Sequence, residues 1–272
     1  MTENKTGLFE GVLLLSDIDG TLTDDRGQIS DENAAAIRYF QREGGRFTVA
    51  SGRYPTYIER YADRFVPNTY IVGINGTELY DPETQKTVLT RRFDDREAVR
   101  NILFTMQRDC PLTMFALCTY REERWVSKED FDKTEQILDS MPPLWHKMIF
   151  VQKLCDTAAD QRYLAALAGD AYEIDRSWAE GIELHPKNSG KGALVPEMKR
   201  LLAAHGHPIH TVVCVGDFEN DLSMCRTADI AYAVENAIPE LKAAAHRVTV
   251  HHNDSAIAHI IADLERDMRA RS

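Results

Sequence analysis

The chain has 272 residues, long for one hydrophobic core and comfortable for two. Its 43 acidic and 32 basic residues give a formal charge of −11, which argues against a nucleic acid or an anionic membrane as partner and leaves small anionic substrates open. No apolar stretch approaches the ~18 to 20 residues that span a bilayer. The opening MTENKTGLFEG lacks the layout of a signal peptide, and five cysteines without a close CxxC pair suit a reducing compartment, so a cytoplasmic protein is expected.

Val12 to Ser16 reads as a buried strand. It stops at two carboxylates, Asp17 and Asp19, followed by Gly20 and Thr21. Residues 31 to 43 carry Ala34, Ile37 and Phe40 at helical spacing, ended by Gly44 and Gly45. Phe47 to Ala50 is a second strand, stopping at Ser51, Gly52 and Arg53. Pro55 then opens a helix through Tyr57, Ile58 and Tyr61. Tyr70 to Ile74 is a third strand before Asn75 and Gly76. Strand and helix alternating at this spacing predict a parallel sheet covered by helices.

The middle of the chain changes character. Asp94 to Asp109 is an amphipathic helix with Val99, Ile102, Leu103 and Met106 on one face, and Asp94 with Glu97 has the spacing of a capping box. Strands are expected at 112 to 120, 125 to 126, 148 to 154, 171 to 174 and 182 to 184, and helices at 129 to 140 and 157 to 168. Adjacent strands with few crossovers predict a separate α+β domain with an antiparallel sheet. From Gly190 the α/β rhythm returns. A helix spans 193 to 202 and a buried strand 211 to 215, ending at Gly216 and Asp217. A strand at 230 to 234, a helix at 239 to 244, a brief strand at 248 to 249 and a last helix at 255 to 267 follow. One α/β domain (1–80 and 188–272) interrupted by an inserted domain (81–187) accounts for this order.

Four places carry polar residues just past a strand or at a helix start: Asp17, Asp19 and Thr21; Ser51, Gly52 and Arg53; Lys191 and Gly192; Asp217, Asn220 and Asp221. In a parallel sheet the first, second and fourth converge on one crevice at the carboxyl edge. Three or four carboxylates can hold Mg2+, a hard cation that takes oxygen ligands. Ser51, the Gly52 amide and Lys191 can hold phosphate oxygens. A metal beside anion ligands suggests chemistry at phosphorus. Of the first pair, one carboxylate can attack phosphorus while the other moves protons to the leaving oxygen and from water. Taken singly, each motif also has an ordinary reading. The acids can be a solvated turn, Ser51 an N-cap, Lys191 a surface lysine, and Asp217 and Asp221 acids on a helix dipole. A calcium EF-hand loop fits poorly, because Leu22 and Gln28 stand where Gly and an acid are required.

The segments DIDGTLTDD, VASGR, SGKGAL and GDFENDLSM, in that order, resemble the four signatures of the haloacid dehalogenase superfamily of phosphohydrolases. The large insertion resembles the type IIB cap of its Cof-type sugar-phosphatase group, and VGINGTELYD and ADIAYAVENAIPELKAAA extend the likeness over nearly the whole chain. The resemblance implies a Rossmann-like parallel core, Mg2+ as cofactor and a small phosphorylated metabolite as substrate, and assigns no oligomeric state. It implies Asp17 as nucleophile and Asp19 as general acid/base, with the metal held by the Asp17 side chain, the Asp19 carbonyl and Asp217. It implies Ser51 and Lys191 as phosphate ligands, Asn220 and Asp221 as supports of the phosphate and metal shells, and Thr21 nearby. Arg53, Tyr54, Trp125, Trp145, His146, Trp178 and His185 are candidates for substrate contact, with core packing or a structural role as the alternative for the aromatics and histidines. Asn188, Phe218 and Ser255 depart from the usual pattern and bear on substrate fit. A phosphomutase, separable by its products, and a phospho-accepting receiver-type domain remain alternatives. The second places its acceptor on the third strand, whereas Asp17 follows the first.

Overall fold

In the computed structural model, which describes residues 7–120, 122–152 and 157–270, the chain forms two compact units, residues 1–89 with 190–272, and residues 90–189. In the first unit, β1 (Val12–Ser16) lies between β2 (Arg46–Val49) and β11 (Thr211–Gly216). β12 (Ile230–Ala233) and β13 (Arg247–Val248) extend the sheet to the order β13-β12-β11-β1-β2, every pairing parallel. A central strand of such a sheet is covered on both faces, which is why VLLLS is apolar almost throughout rather than alternating. Leu13, Leu14 and Leu15 are fully buried, each contributing about 1.5–3 kcal/mol relative to exposure.

Ser30 caps α1 (Asp31–Arg42) by accepting the Asn33 amide hydrogen, and the helix packs on α8 (Ala256–Arg269) with Ala34, Ile37 and Phe40 buried. Ser255, just before α8, sits in the left-handed region at φ 60°, a conformation that costs a non-glycine residue about 1–2 kcal/mol. Its hydroxyl lies 2.9 Å from that of Ser30. Asn188 also adopts the left-handed region, at φ 63°, which asparagine tolerates better than most residues.

In this unit the sequence reading differs at the helix after Pro55 and at the third strand, and it omits the strands Glu78–Asp81 and Lys86–Thr90 and the helix Leu222–Thr227. The helix after Pro55 is a seven-residue 3-10 turn (Pro55–Tyr61) rather than an α-helix. The third strand, β3 (Ile71–Gly73), meets the parallel sheet only through the bridge from Ala50 to Val72. It pairs antiparallel with β4 (Glu78–Asp81), next to β5 (Lys86–Thr90). The chain turns at once after β3 through Ile74 and Asn75, both at positive φ, so the strand has no length left to pair along β2. The units divide after Leu89 and Ser189, where the sequence suggests joints near 80 and 187; pairing of β4 with β3 keeps that segment with the first unit.

The second unit is α+β. Its sheet has the order β7-β6-β8-β10-β9, formed by β6 (Leu112–Thr119), β7 (Glu123–Ser127), β8 (Trp145–Gln152), β9 (Tyr172–Trp178) and β10 (Gly181–Pro186), all antiparallel. α2 (Arg96–Asp109) and α4 (Thr157–Ala168) supply its helices, with α3 (Thr134–Ser140) after a 3-10 turn. Asp95, not Asp94, caps α2 by accepting the Ala98 amide hydrogen, so Glu97 stands one place too early for a capping box. β8 begins at Trp145 rather than at Met148; Trp145 is buried in the core of this unit, and Lys147 pairs with Glu183 of β10 at 2.8 Å. The last two residues expected of that strand, 153 and 154, and Cys155 lie outside the described residues.

Candidate active site

The parallel order β11-β1-β2 places three strand ends side by side. Ser16 is in register with Val215 on one side and Val49 on the other. Asp17, the next residue, donates its amide hydrogen to the Val215 carbonyl at 3.0 Å, while Ala50 donates to the Ser16 carbonyl at 2.9 Å. Asp17, Ser51 and Asp217 therefore stand one or two residues past adjacent strands, at the edge where open α/β sheets bind ligands.

Lys191 reaches this edge from the segment before α5 (Val195–Ala204) and is fully buried. Its Nζ lies 2.7 Å from Asp17 Oδ1 and 2.6 Å from Asp221 Oδ1. The second Asp221 oxygen accepts the amide hydrogens of Asp217 at 2.9 Å and Phe218 at 3.1 Å. Both Asp221 oxygens are thus occupied, and this carboxylate folds the loop after β11 onto Lys191. Thr21 donates its hydroxyl to Asp217 Oδ1 at 3.1 Å.

The charge balance of this cluster is its main property. Two buried carboxylates, Asp17 and Asp221, and the half-buried Asp217 face one ammonium. Burial works against charge on Lys191, but Asp17 and Asp221 outweigh it and hold its pKa above the usual lysine value. The shortage of positive charge falls on the acids. Burial, and then repulsion from Asp221 and Asp217, push the Asp17 carboxyl well above its ordinary range against the pull of Lys191. Asp217 is raised to about 6 by burial and by Asp221. Asp17, Asp217 and Asp221 each offer an oxygen within 4.8 Å of the others. An all-oxygen set with two negative charges uncompensated fits a small hard divalent cation such as Mg2+.

Glycines at two positions permit this approach. Gly20 has φ 74°, and a Cβ there would stand 2.7 Å from Asp217 Oδ2. A Cβ on Gly216 would meet the Asp221 carboxyl at 2.3 Å. Asp19 is not brought into the cluster. Its side chain is half exposed and pairs with Arg53, Oδ2 to Nε at 3.0 Å. Ser51 is buried, and its hydroxyl accepts the Arg53 amide hydrogen at 3.2 Å. The Gly52 backbone stands between these two residues, and Gly192 donates its amide hydrogen to Ser223 Oγ at 3.1 Å. Asn220 is buried and donates to Asn75 Oδ1 at 3.4 Å.

Asn75 and Asn236 are positioning residues that no motif argument singles out. Asn75, fully buried at φ 50°, donates its amide hydrogen to Ser51 O at 3.0 Å and accepts from the Gly190 amide at 2.8 Å. It therefore ties three of the four polar segments together. Asn236 donates to the Gly20 carbonyl at 2.8 Å and accepts from the His252 amide at 3.1 Å, bracing the loop that carries Asp19. The available signal is an Asn just past a strand before Gly76, and another just past β12.

The candidates in the second unit divide. Trp145 is a core residue, fully buried with the Arg96 guanidinium 4.3 Å from its ring, so its candidacy for substrate contact is withdrawn. Trp125 is exposed, and Trp178 packs over Gly181. His185 is buried with Nε2 3.0 Å from Asp175 Oδ2; burial opposes its charge, but Asp175 raises its pKa. His146 is buried, and burial lowers its pKa to about 4.

A sequence match to the haloacid dehalogenase-like hydrolases runs over residues 14–261, from β1 to α8. The chain belongs to that family. It is 27% identical over 259 residues to phosphoglycolate phosphatase 2 of Saccharolobus solfataricus, covering 92% of this chain and 91% of the relative. It is 24% identical over 290 residues to the phosphatase YwpJ of Bacillus subtilis, covering 93% and 99%. A haloacid dehalogenase-like hydrolase of B. subtilis shares the fold, with a TM-score of 0.76 at 20% identity and coverage of 92% and 98%. The parallel sheet with an inserted α+β unit is thus the fold of this family, as the motif order implies. Among the described residues no helix is long and apolar enough to cross a membrane.

Proposed function

We propose that this hydrolase is a Mg2+-dependent phosphatase that removes the phosphoryl group of a small phosphorylated metabolite through an aspartyl-phosphate on Asp17. The observation that carries the reading is the cluster of Asp17, Asp217 and Asp221 around the single ammonium of Lys191. The family and the phosphatase names of its relatives support the same class. Asp17 and Asp217 would hold the cation together with the Asp19 carbonyl, with Asp221 fixing the loop. The ion would neutralise the charge shared by the carboxylates and the incoming phosphoryl group.

Lys191 and the hydroxyl of Ser51 hold phosphoryl oxygens beside Asp17. An Asp17 oxygen forms a bond to phosphorus as the bond from phosphorus to the ester oxygen breaks. Asp19, on the solvent side, gives its proton to that leaving oxygen. Asp19 then takes a proton from water, whose oxygen attacks phosphorus; the bond to Asp17 breaks, and inorganic phosphate is released. We place the enzyme in the cytoplasm, on five cysteines without a close CxxC pair, which suit a reducing compartment.

The test is phosphate release from an aryl phosphate with Mg2+ present. Asp17→Asn removes the nucleophilic carboxylate at unchanged size and is expected to reduce release to background. Undiminished turnover in that variant overturns the mechanism, and an isomeric phosphate ester in place of free phosphate overturns hydrolysis.

A further inference from the structure

The 3-10 turn Pro55–Tyr61 follows directly on the strand end that carries Ser51 and Arg53. Its side chains form a stack of cations and rings. The guanidinium of Arg53 lies 4.9 Å from the centroid of the Tyr57 ring, that of Arg60 lies 4.8 Å from the same ring, and Arg60 also lies 5.5 Å from the Tyr61 ring. Residues three apart eclipse in a 3-10 turn, which sets Arg60 over Tyr57. Arg60 Nη1 donates to the Tyr57 hydroxyl at 2.5 Å, and Tyr61 is fixed in turn by its hydroxyl, which donates to the Gly27 carbonyl at 3.0 Å.

The two arginines differ in their acids. Arg53 is paired with Asp19, the proton-moving carboxylate of the proposed reaction. Arg60 makes no ion pair with any described acid. Its neighbour Glu59 lines an apolar groove with Ile58, Phe65 and Tyr80. Some exposed arginines of this unit take an acid, as Arg200 takes Glu197 and Arg269 takes Glu265, while Arg26, Arg38, Arg42 and Arg226 show no such pair; what sets Arg60 apart is that two rings hold it. On a chain of charge −11, a guanidinium held by two rings, one ring removed from the Arg53–Asp19 pair and without a carboxylate, is an anion site in waiting. Its orientation is set before any ligand arrives, so little side-chain entropy is lost on binding.

We propose that Arg60, oriented by Tyr57 and Tyr61, binds a second anionic group on the leaving portion of the substrate. The preferred substrates are then phosphate esters that also carry a carboxylate or a further phosphate. This rests on the phosphatase reading and narrows it. Binding of this kind acts equally on ground and transition states, so it lowers KM and leaves kcat unchanged.

The experiment compares esters on matched skeletons, with Mg2+ present: 3-phosphoglycerate against glycerol 3-phosphate for a carboxylate, and fructose 1,6-bisphosphate against fructose 6-phosphate for a phosphate. In at least one pair kcat/KM is expected to favour the doubly anionic member by about 10-fold, carried by KM, as for one charge-assisted hydrogen bond. Which pair shows it identifies the anion. Arg60→Gln should bring that ratio to about one while leaving the singly anionic member unchanged, and Arg60→Lys should keep part of it. The preference should shrink as salt is raised to about 1 M. Release from an aryl phosphate with no Arg60-dependent preference in either pair overturns the proposal alone, as does an equal loss on both members in Arg60→Gln. Absence of release from every ester overturns the phosphatase reading and this proposal with it.

Discussion

Asp221→Asn is the sharpest test of how the site is held together. The side chain keeps its size, so no cavity forms and only hydrogen-bond polarity changes. Asp221 accepts three bonds, from Lys191 at 2.6 Å, from the Asp217 amide at 2.9 Å and from the Phe218 amide at 3.1 Å. An asparagine presents one oxygen. Turned to the two amides, it sets its NH2 against the buried ammonium; turned to Lys191, it sets its NH2 against two backbone N–H groups. The first arrangement loses least, one bond to a charged donor, at about 1.5–3 kcal/mol. Removing a negative charge that repels Asp17 and Asp217 offsets part of this. A net loss of about 2 kcal/mol corresponds to a thermal midpoint lowered by roughly 4–8 °C in a chain of this size. Thermal unfolding at pH 7 with a chelator present checks it. Asp221→Ala should cost more, since it loses all three bonds and empties the space against Gly216. An asparagine variant within about 1 °C of the parent refutes the argument that Asp221 is the structural carboxylate of the cluster.

Two further outcomes follow from the geometry, beside those for Asp17 and Arg60. Gly20→Ala places a Cβ 2.7 Å from Asp217 Oδ2 at φ 74°, so it is expected to cost about 1–2 kcal/mol from backbone strain alone and to lower kcat/KM at least tenfold by displacing Asp217; unfolding and steady-state kinetics read both effects. The chelated protein should lose stability as pH rises. Asp217 has its folded pKa raised to about 6, above the ordinary carboxylate value, so its contribution is fully present below pH ~4 and is lost as pH rises through 6. Addition of Mg2+ should therefore raise the thermal midpoint more at pH 7.5 than at pH 5. Equal stabilisation at both pH values contradicts the charge shortage assigned to the cluster.

The sequence by itself determined the chemistry on offer. Runs such as VLLLS and TVVCV are apolar because a central parallel strand is buried on both faces, and a buried strand ending in acids places those acids at a sheet edge whatever the rest of the chain does. Strand alternation, the change to an antiparallel middle and the order of the four motifs were legible for the same local reason. The tertiary structure decided which of those residues meet. Lys191 and Asp17 are 174 positions apart, and only the strand order β11-β1-β2, with the turn at Asn75 carrying the chain past Gly190, brings them to 2.7 Å. Local spacing cannot tell Asp19 from Asp221. The fold turns Asp19 outward to Arg53 and buries Asp221 on Lys191. It likewise sends Trp145 into a core and stacks Arg60 on two rings. Periodicity and spacing are properties of neighbours in the chain, whereas charge pairing and burial belong to neighbours in space. For this protein DIDG at residues 17–20 announced paired acids, and only the packed sheet gave them different surroundings.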